Sequence, residues 1–248
     1  MSTLYLLGSG AAVSDPHRTT TMLAFETGVS VIAVDCGGDA VQRLMAAGIA
    51  LERLSAFILS HEHPDHVSGF PLVMEKLWLA GRREPLPVYG IAPALDQAER
   101  TFSSFDTSGW KGMPAILWRE VAQEEGAEVL QDDHWKITAS PGEHTVPVIG
   151  LRVETASGTV AYSCDTEPVA SITRLARGAD ILVHEATGAG PGHSSARQAA
   201  EVAREAGAKR LLLVHLPPES DLGEAEMAQA REVFAETEKG EEEGRYPF

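Results

Sequence analysis

The sequence predicts an α/β fold in which two sheets pack together with helices outside, within one domain. Three observations carry this. Apolar runs of strand length recur along the chain and end in polar loops that contain Gly or Pro. Both halves pass from strands into strand–helix units, the pattern that layers helices over sheets. The 248 residues, 44% hydrophobic and 23% charged, are enough for a substantial core and ordinary for a soluble globular protein.

In chain order, Thr3–Leu7 reads as a first strand closed by the tight turn Gly8-Ser9-Gly10, which is no complete dinucleotide fingerprint. Met22–Glu26 and Val29–Val34 read as a hairpin, and Asp35 ends its second strand. That carboxylate suits either a cap for a helix over Ala40–Ala47 or a partner that orients a metal ligand. Ala56–Leu59 is a buried strand, Phe70–Ala80 a helix and Pro87–Ile91 a short strand. Residues 100–120 are the least regular stretch. Phe102, Phe105, Trp110 and Trp118 there fit a lid, a contact in a homodimer, or a loop packed by its own aromatics. Trp135–Ala139, Val148–Glu154 and Thr159–Ser163 read as strands, and residues 168–177 as a helix. The strand Ile181–Val183 follows, then a helix opened by a capping box of Ser195 and Gln198. Leu211–Val214 is a buried strand, residues 223–237 a last helix, and the Glu-rich end a solvated tail.

Net charge is −16, and the Glu-rich end supplies only a small part of it. Such global acidity is poor equipment for a broad nucleic-acid footprint, which needs Lys and Arg to replace condensed counterions. Cys36 and Cys164 sit in strand-like apolar contexts and read as buried free thiols. No apolar stretch approaches membrane length, so the expectation is a soluble, cytoplasmic protein.

The chemistry gathers in Ser60-His61-Glu62-His63-Pro64-Asp65-His66, directly after a buried strand. Three imidazoles and a carboxylate in six positions are donors that suit zinc and its neighbours. Alone they hold one metal fully or two partly. His144, Asp165 and His215 each follow a separate predicted strand, which makes chance less credible than for any lone histidine.

The order His61-x-His63-x-Asp65-His66, then His144, Asp165 and His215, resembles the metallo-β-lactamase superfamily. The resemblance spans roughly Leu4 to Pro218. It implies a four-layer αββα sandwich over residues 1–235, followed by the acidic tail at 236–248. It implies two divalent metals, zinc or else manganese. His61, His63 and His144 would hold the first. Asp65, His66 and His215 would hold the second, with Asp165 and a hydroxide bridging. Within the superfamily, His184-Glu185-Ala186 and Gly192-His193-Ser194-Ser195 resemble motifs of ribonuclease Z and its phosphodiesterase relatives. The catalytic residues would be Asp65, His193 and Glu185. The residues themselves support His193: a helix N-terminus disfavours its cation while Glu185 favours it, which poises a general acid near neutrality. The plain alternative is a capping or surface histidine.

Two features depart from ribonuclease Z. Val148–Glu154 runs through Thr155-Ala156-Ser157-Gly158 straight into the next strand, leaving no room for that family's tRNA-holding arm. His215 is followed by Leu216-Pro217-Pro218, without the aromatic and basic residues expected there. The expected activity is therefore a phosphodiesterase on small or cyclic phosphodiesters or RNA ends. A true ribonuclease Z, a hydrolase of a lactone, thioester or sulfate ester, and a non-catalytic metal carrier are the alternatives.

Overall fold

The computed structural model describes residues 1–218 and 222–248. The first half contains β1 (Thr3–Gly8), β2 (Met22–Glu26), β3 (Val31–Val34), α1 (Ala40–Ala46), β4 (Leu54–Leu59), α2 (Pro64–Val67), α3 (Phe70–Leu79), β5 (Leu86–Gly90), α4 (Ala92–Ser103) and β6 (Ile116–Glu120). The second contains β7 (Ala127–Gln131), β8 (Lys136–Pro141), β9 (Ile149–Glu154), β10 (Thr159–Tyr162), α5 (Ala170–Leu175), β11 (Ile181–Glu185), α6 (Ala196–Ala206) and β12 (Leu211–Val214). The chain closes with α7 (Glu224–Val233), β13 (Thr237–Lys239) and β14 (Arg245–Pro247).

Two seven-stranded sheets result, ordered β14-β1-β2-β3-β4-β5-β6 and β13-β12-β11-β10-β9-β8-β7. Leu4, Phe25, Ile32 and Phe57 of the first join Ile137, Leu151, Val183 and Leu212 of the second in one buried cluster. Burying each such side chain stabilises by roughly 1.5–3 kcal/mol. A second cluster sets Ala199, Ala200 and Ala203 of α6 against Leu182, Leu211 and Leu213. The helices on the outer faces complete the expected αββα sandwich. Helix α6 starts at the expected capping box of Ser195 and Gln198 and stops at Gly207, whose φ of 65° only glycine adopts readily. Among the described residues no helix is long and apolar enough to cross a membrane.

Three expectations fail, the simplest being the last helix, which covers Glu224–Val233 and not residues 223–237 because Thr237 opens a strand. Residues 100–120 are more regular than their composition suggests. Ala94, Leu95, Ala98 and Phe102 fall at helical spacing and bury one face of α4, and β6 follows. The loop between is packed by its own aromatics, with Trp110 stacked on Trp78 at 5.1 Å between centroids. The acidic end is not a solvated tail. β13 pairs with β12, and β14 pairs with β1, so this segment supplies an edge strand to each sheet. Thr237 and Tyr246 are buried, while Glu238 turns outward into a two-pronged pair with Arg210 at 2.5 and 2.8 Å. Each strand buries one residue beside charged neighbours, and the charge count hides it. A boundary at 235 therefore falls inside the two-sheet fold.

Strands β3 to β6 run parallel, as do β10 to β13. Ligands of α/β sheets bind beyond the carboxyl ends of such strands. The polar residues singled out in the sequence emerge there.

Candidate metal centre

The loop after β4 is shaped by Pro64, which holds His63 extended at φ −62°, ψ 148° and opens α2 at its first turn. Asp65 and His66 then lie on that turn, apart from His61 and His63 on the extended segment. The loop's far side rests on the chain after β3. The Cys36 N–H donates to the His66 carbonyl (2.7 Å) and the Gly69 N–H to the Cys36 carbonyl (2.6 Å). Gly37 permits this approach, since a Cβ there would stand 1.7 Å from the Asp65 carbonyl oxygen.

Two sets of donors converge. His61, His63 and His144 form one, with His63 Nδ1 3.1 Å from His144 Nε2. Asp65, His66, Asp165 and His215 form the other. Asp165 lies between them. Its Oδ2 is 3.2 Å from His215 Nε2, 3.6 Å from His66 Nε2, 3.9 Å from His61 Nε2 and 4.0 Å from His144 Nε2.

The donors fit divalent metals, as the unmet needs of the site show. His61 Nε2, His66 Nε2 and Asp165 Oδ1 are buried without a hydrogen-bond partner, a costly arrangement unless something else binds there. Burial by itself would raise the Asp165 carboxyl, but His215 and His66 beside it hold it well below the usual carboxylate range. It stays an anion.

Four of the five candidate imidazoles, those of His61, His66, His144 and His215, are held from behind. His66 Nδ1 donates to Asp35 Oδ2 at 2.8 Å, and the same carboxylate accepts the Ser60 N–H and hydroxyl, both at 2.8 Å. With its proton on Asp35, the Ser60 hydroxyl accepts from His61 Nδ1 at 3.1 Å. His144 Nδ1 donates to the Gly192 carbonyl at 2.7 Å. The Thr187 hydroxyl donates to the His215 carbonyl (3.0 Å) and accepts from His215 Nδ1 (2.6 Å). These bonds select the tautomers that leave His61, His66, His144 and His215 Nε2 facing the centre. The two roles open to Asp35 in the sequence are thereby separated. Asp35 orients His66, and Asp39 caps α1 through the Gln42 N–H at 3.0 Å. Thr187 carries no sequence signal beyond its place two residues after Glu185.

Backbone conformation does part of the aiming. Asp35, Cys164 and His215 have φ of 60°, 54° and 51°, left-handed values that side chains other than glycine rarely adopt. All three sit where β3, β10 and β12 deliver residues to the centre, where strain collects at functional sites.

His193 stands over the centre, its ring 4.8 Å from His144 and stacked on His215 at 5.7 Å. Its Nδ1 lies 3.2 Å from Glu185 Oε1. Glu185 is fully buried and also accepts the Ser194 N–H (2.6 Å) and the Thr187 N–H (2.8 Å), so the carboxylate is fixed. The hydrogen bond to Glu185 raises the His193 pKa above the ordinary histidine value, against the opposing effect of burial. Cys36 and Cys164 are buried free thiols, with Cys164 Sγ 3.5 Å from His61 Nδ1.

A family model described as a β-lactamase superfamily domain matches residues 31–216. A ribonuclease Z of Mycobacterium bovis is 30% identical, with 93% of this chain and 91% of that protein covered. A ribonuclease Z of Methanothermobacter thermautotrophicus is 28% identical over 294 aligned residues, covering 96% and 94% of the two chains. Among solved structures, the metallo-β-lactamase fold protein YhfI from Bacillus subtilis superposes with a TM-score of 0.82 at 24% identity, covering 99% and 98%. The chain belongs to the metallo-β-lactamase superfamily and is a ribonuclease Z-like member of it.

Proposed function

We propose that this chain is a dinuclear metal-dependent phosphodiesterase acting on small or cyclic phosphodiesters. His61, His63 and His144 would hold one divalent metal, and Asp65, His66, Asp165 and His215 would hold the other. Bound zinc or manganese would supply Lewis acidity toward phosphoryl oxygens and an attacking water activated at neutral pH. The protein's own groups do the rest. Asp65 and Asp165 partly offset the cationic charge, which leaves room for one phosphodiester anion. Asp65, partly open to solvent, orients the attacking water. His193, held by Glu185, donates its proton to the leaving oxygen. The single observation that supports this most is the His193–Glu185 pair at 3.2 Å beside the two donor sets. Hydrolysis of a thioester, whose thiolate leaves without a proton, has no need of that pair.

The restriction to small substrates rests on the connection between β9 and β10. It is a tight turn in which the Thr155 N–H donates to the Gly158 carbonyl at 3.0 Å. The alignment to the Methanothermobacter relative is longer than this chain, so that relative carries residues absent here. Arg18, a basic residue in the loop between β1 and β2, is paired to Asp15 at 3.2 Å. The two buried free thiols fit a cytoplasmic place of action.

A true ribonuclease Z is the second reading, favoured by the chain's ribonuclease Z relatives. The two are separated by kcat/KM for a nitrophenyl phosphodiester or cyclic nucleotide against a precursor tRNA, in the same buffer and metal. The small substrate is expected to win. Cleavage of the tRNA near its discriminator base at more than ~10⁶ M⁻¹s⁻¹, within the range of well-evolved enzymes, overturns the proposal.

A further inference from the structure

The turn Gly8-Ser9-Gly10 and the acidic end of the chain are far apart in sequence and meet in the fold. The carboxylate of Glu242 accepts the Ser9 N–H and the Ser9 hydroxyl, both at 2.9 Å, and the Thr19 N–H at 3.0 Å. Ser9 is fully buried, and Glu242 also lies 3.4 Å from the Arg43 guanidinium. One carboxylate thus ties the start of the loop that follows β1 to its end just before β2.

That loop is the floor beneath His215. The His215 N–H donates to the Thr21 hydroxyl at 3.0 Å, and the Thr21 hydroxyl donates to the Gly10 carbonyl at 3.0 Å. The Leu216 N–H donates to the Ser9 carbonyl (2.9 Å), and the Ala11 N–H donates to the Leu216 carbonyl (3.0 Å). His215 needs such support, since its φ of 51° is a conformation that the surroundings must impose.

We infer that Glu242 is a positioning residue for the second metal: it fixes the loop after β1 and, through it, the place of His215. The inference rests on the assignment of His215 as a ligand. Without the carboxylate, three donors around buried Ser9 lose their acceptor, and a loop that relaxes to satisfy them moves the floor of His215. Metal ligands tolerate displacements of only about 0.2 Å. The consequence is selective, because among the described residues the hydrogen bonds of this loop lead to His215 and Leu216 and not to His61, His63 or His144.

The test is zinc titration of metal-free protein against a chromophoric chelator, with H215A marking which binding step belongs to the second metal. Wild type should take up two ions. E242A should weaken the second step at least about 10-fold, the lower end of what supporting groups contribute, and leave the first within about 2-fold. E242Q keeps one acceptor oxygen and should fall between; it also serves if E242A does not fold. Thermal unfolding of the metal-free variants is read alongside. An unchanged second step, or both steps weakening together with lost stability, overturns the inference. Fewer than two ions in wild type refutes the metal assignment itself, and this inference with it.

Discussion

The first sheet brings four candidate ligands on one loop, whereas the second brings three from His144 to His215, each beyond a different strand. The loop is one covalent unit, shaped by Pro64 and seated on Gly37, so its four donors move together. The second sheet has no such unit. His144 leans on the Gly192 carbonyl, Asp165 follows a left-handed Cys164, and His215 is itself left-handed and braced by Thr187. Each donor carries its own fixing device. The centre therefore depends on the register of two sheets, and damage on either side should reach the metals by a different path.

The largest effects should come from removing a ligand on either side. His63→Ala and His215→Ala should each lower metal content and cut turnover at least ~1000-fold, the scale of a lost metal worth several kcal/mol to the transition state. Elemental analysis decides the point. Full metal occupancy in both variants would sink the assignment.

A step smaller is the residue of the second sheet that touches the centre without being assigned to a metal. His193→Ala should keep both metals and lose at least ~100-fold on substrates with basic leaving groups. On a nitrophenyl ester, whose leaving group needs no proton, the loss should be slight. Equal losses on the two substrates would show that His193 positions substrate and donates no proton.

Next comes the first sheet's own support. Asp35→Asn keeps the shape of the side chain but replaces one acceptor oxygen by an NH2, so it cannot serve all three donors, the Ser60 N–H, the Ser60 hydroxyl and His66 Nδ1. Zinc affinity at the second site should fall about 10–100-fold, as for other groups that orient a metal-bound imidazole. Affinities equal to wild type would remove Asp35 from the centre.

The same contrast governs what was legible in the sequence. The loop from His61 to His66 is visible because its donors are contiguous and follow an apolar run. His144, Asp165 and His215 are visible as strand-end residues, but only their resemblance to a family pattern joins them. Thr187, Thr21 and Glu242 leave no trace, because their roles come from pairs distant in sequence that the fold brings together. Most strands and helices are legible from periodicity to within a residue or two. The exceptions are instructive. In α4 two of the four buried side chains are Ala, a weak apolar signal, and in β13 and β14 charged neighbours mask the single buried position of each strand.

The smallest effect separates two aspartates four residues apart. Asp39, unlike Asp35, serves α1: its carboxylate accepts the Gln42 N–H at 3.0 Å and pairs with Lys76. Asp39→Ala should cost about 1 kcal/mol, the usual value of an N-cap, and lower the unfolding midpoint by roughly 2–4 °C in a chain of this size. Partial burial alone would raise the Asp39 pKa, but the hydrogen bonds from Lys76 and Gln42 outweigh it and hold it below the usual value. A carboxyl with a depressed folded pKa stabilises above its unfolded pKa of about 3.9 and loses that contribution as pH falls through the folded value. Wild type and D39A should therefore differ at neutral pH and converge in strong acid, while both bind two zinc ions with equal affinity. A weakened metal step in D39A would mean that α1 helps to hold the centre, and that Asp35 and Asp39 do not divide the work in this way.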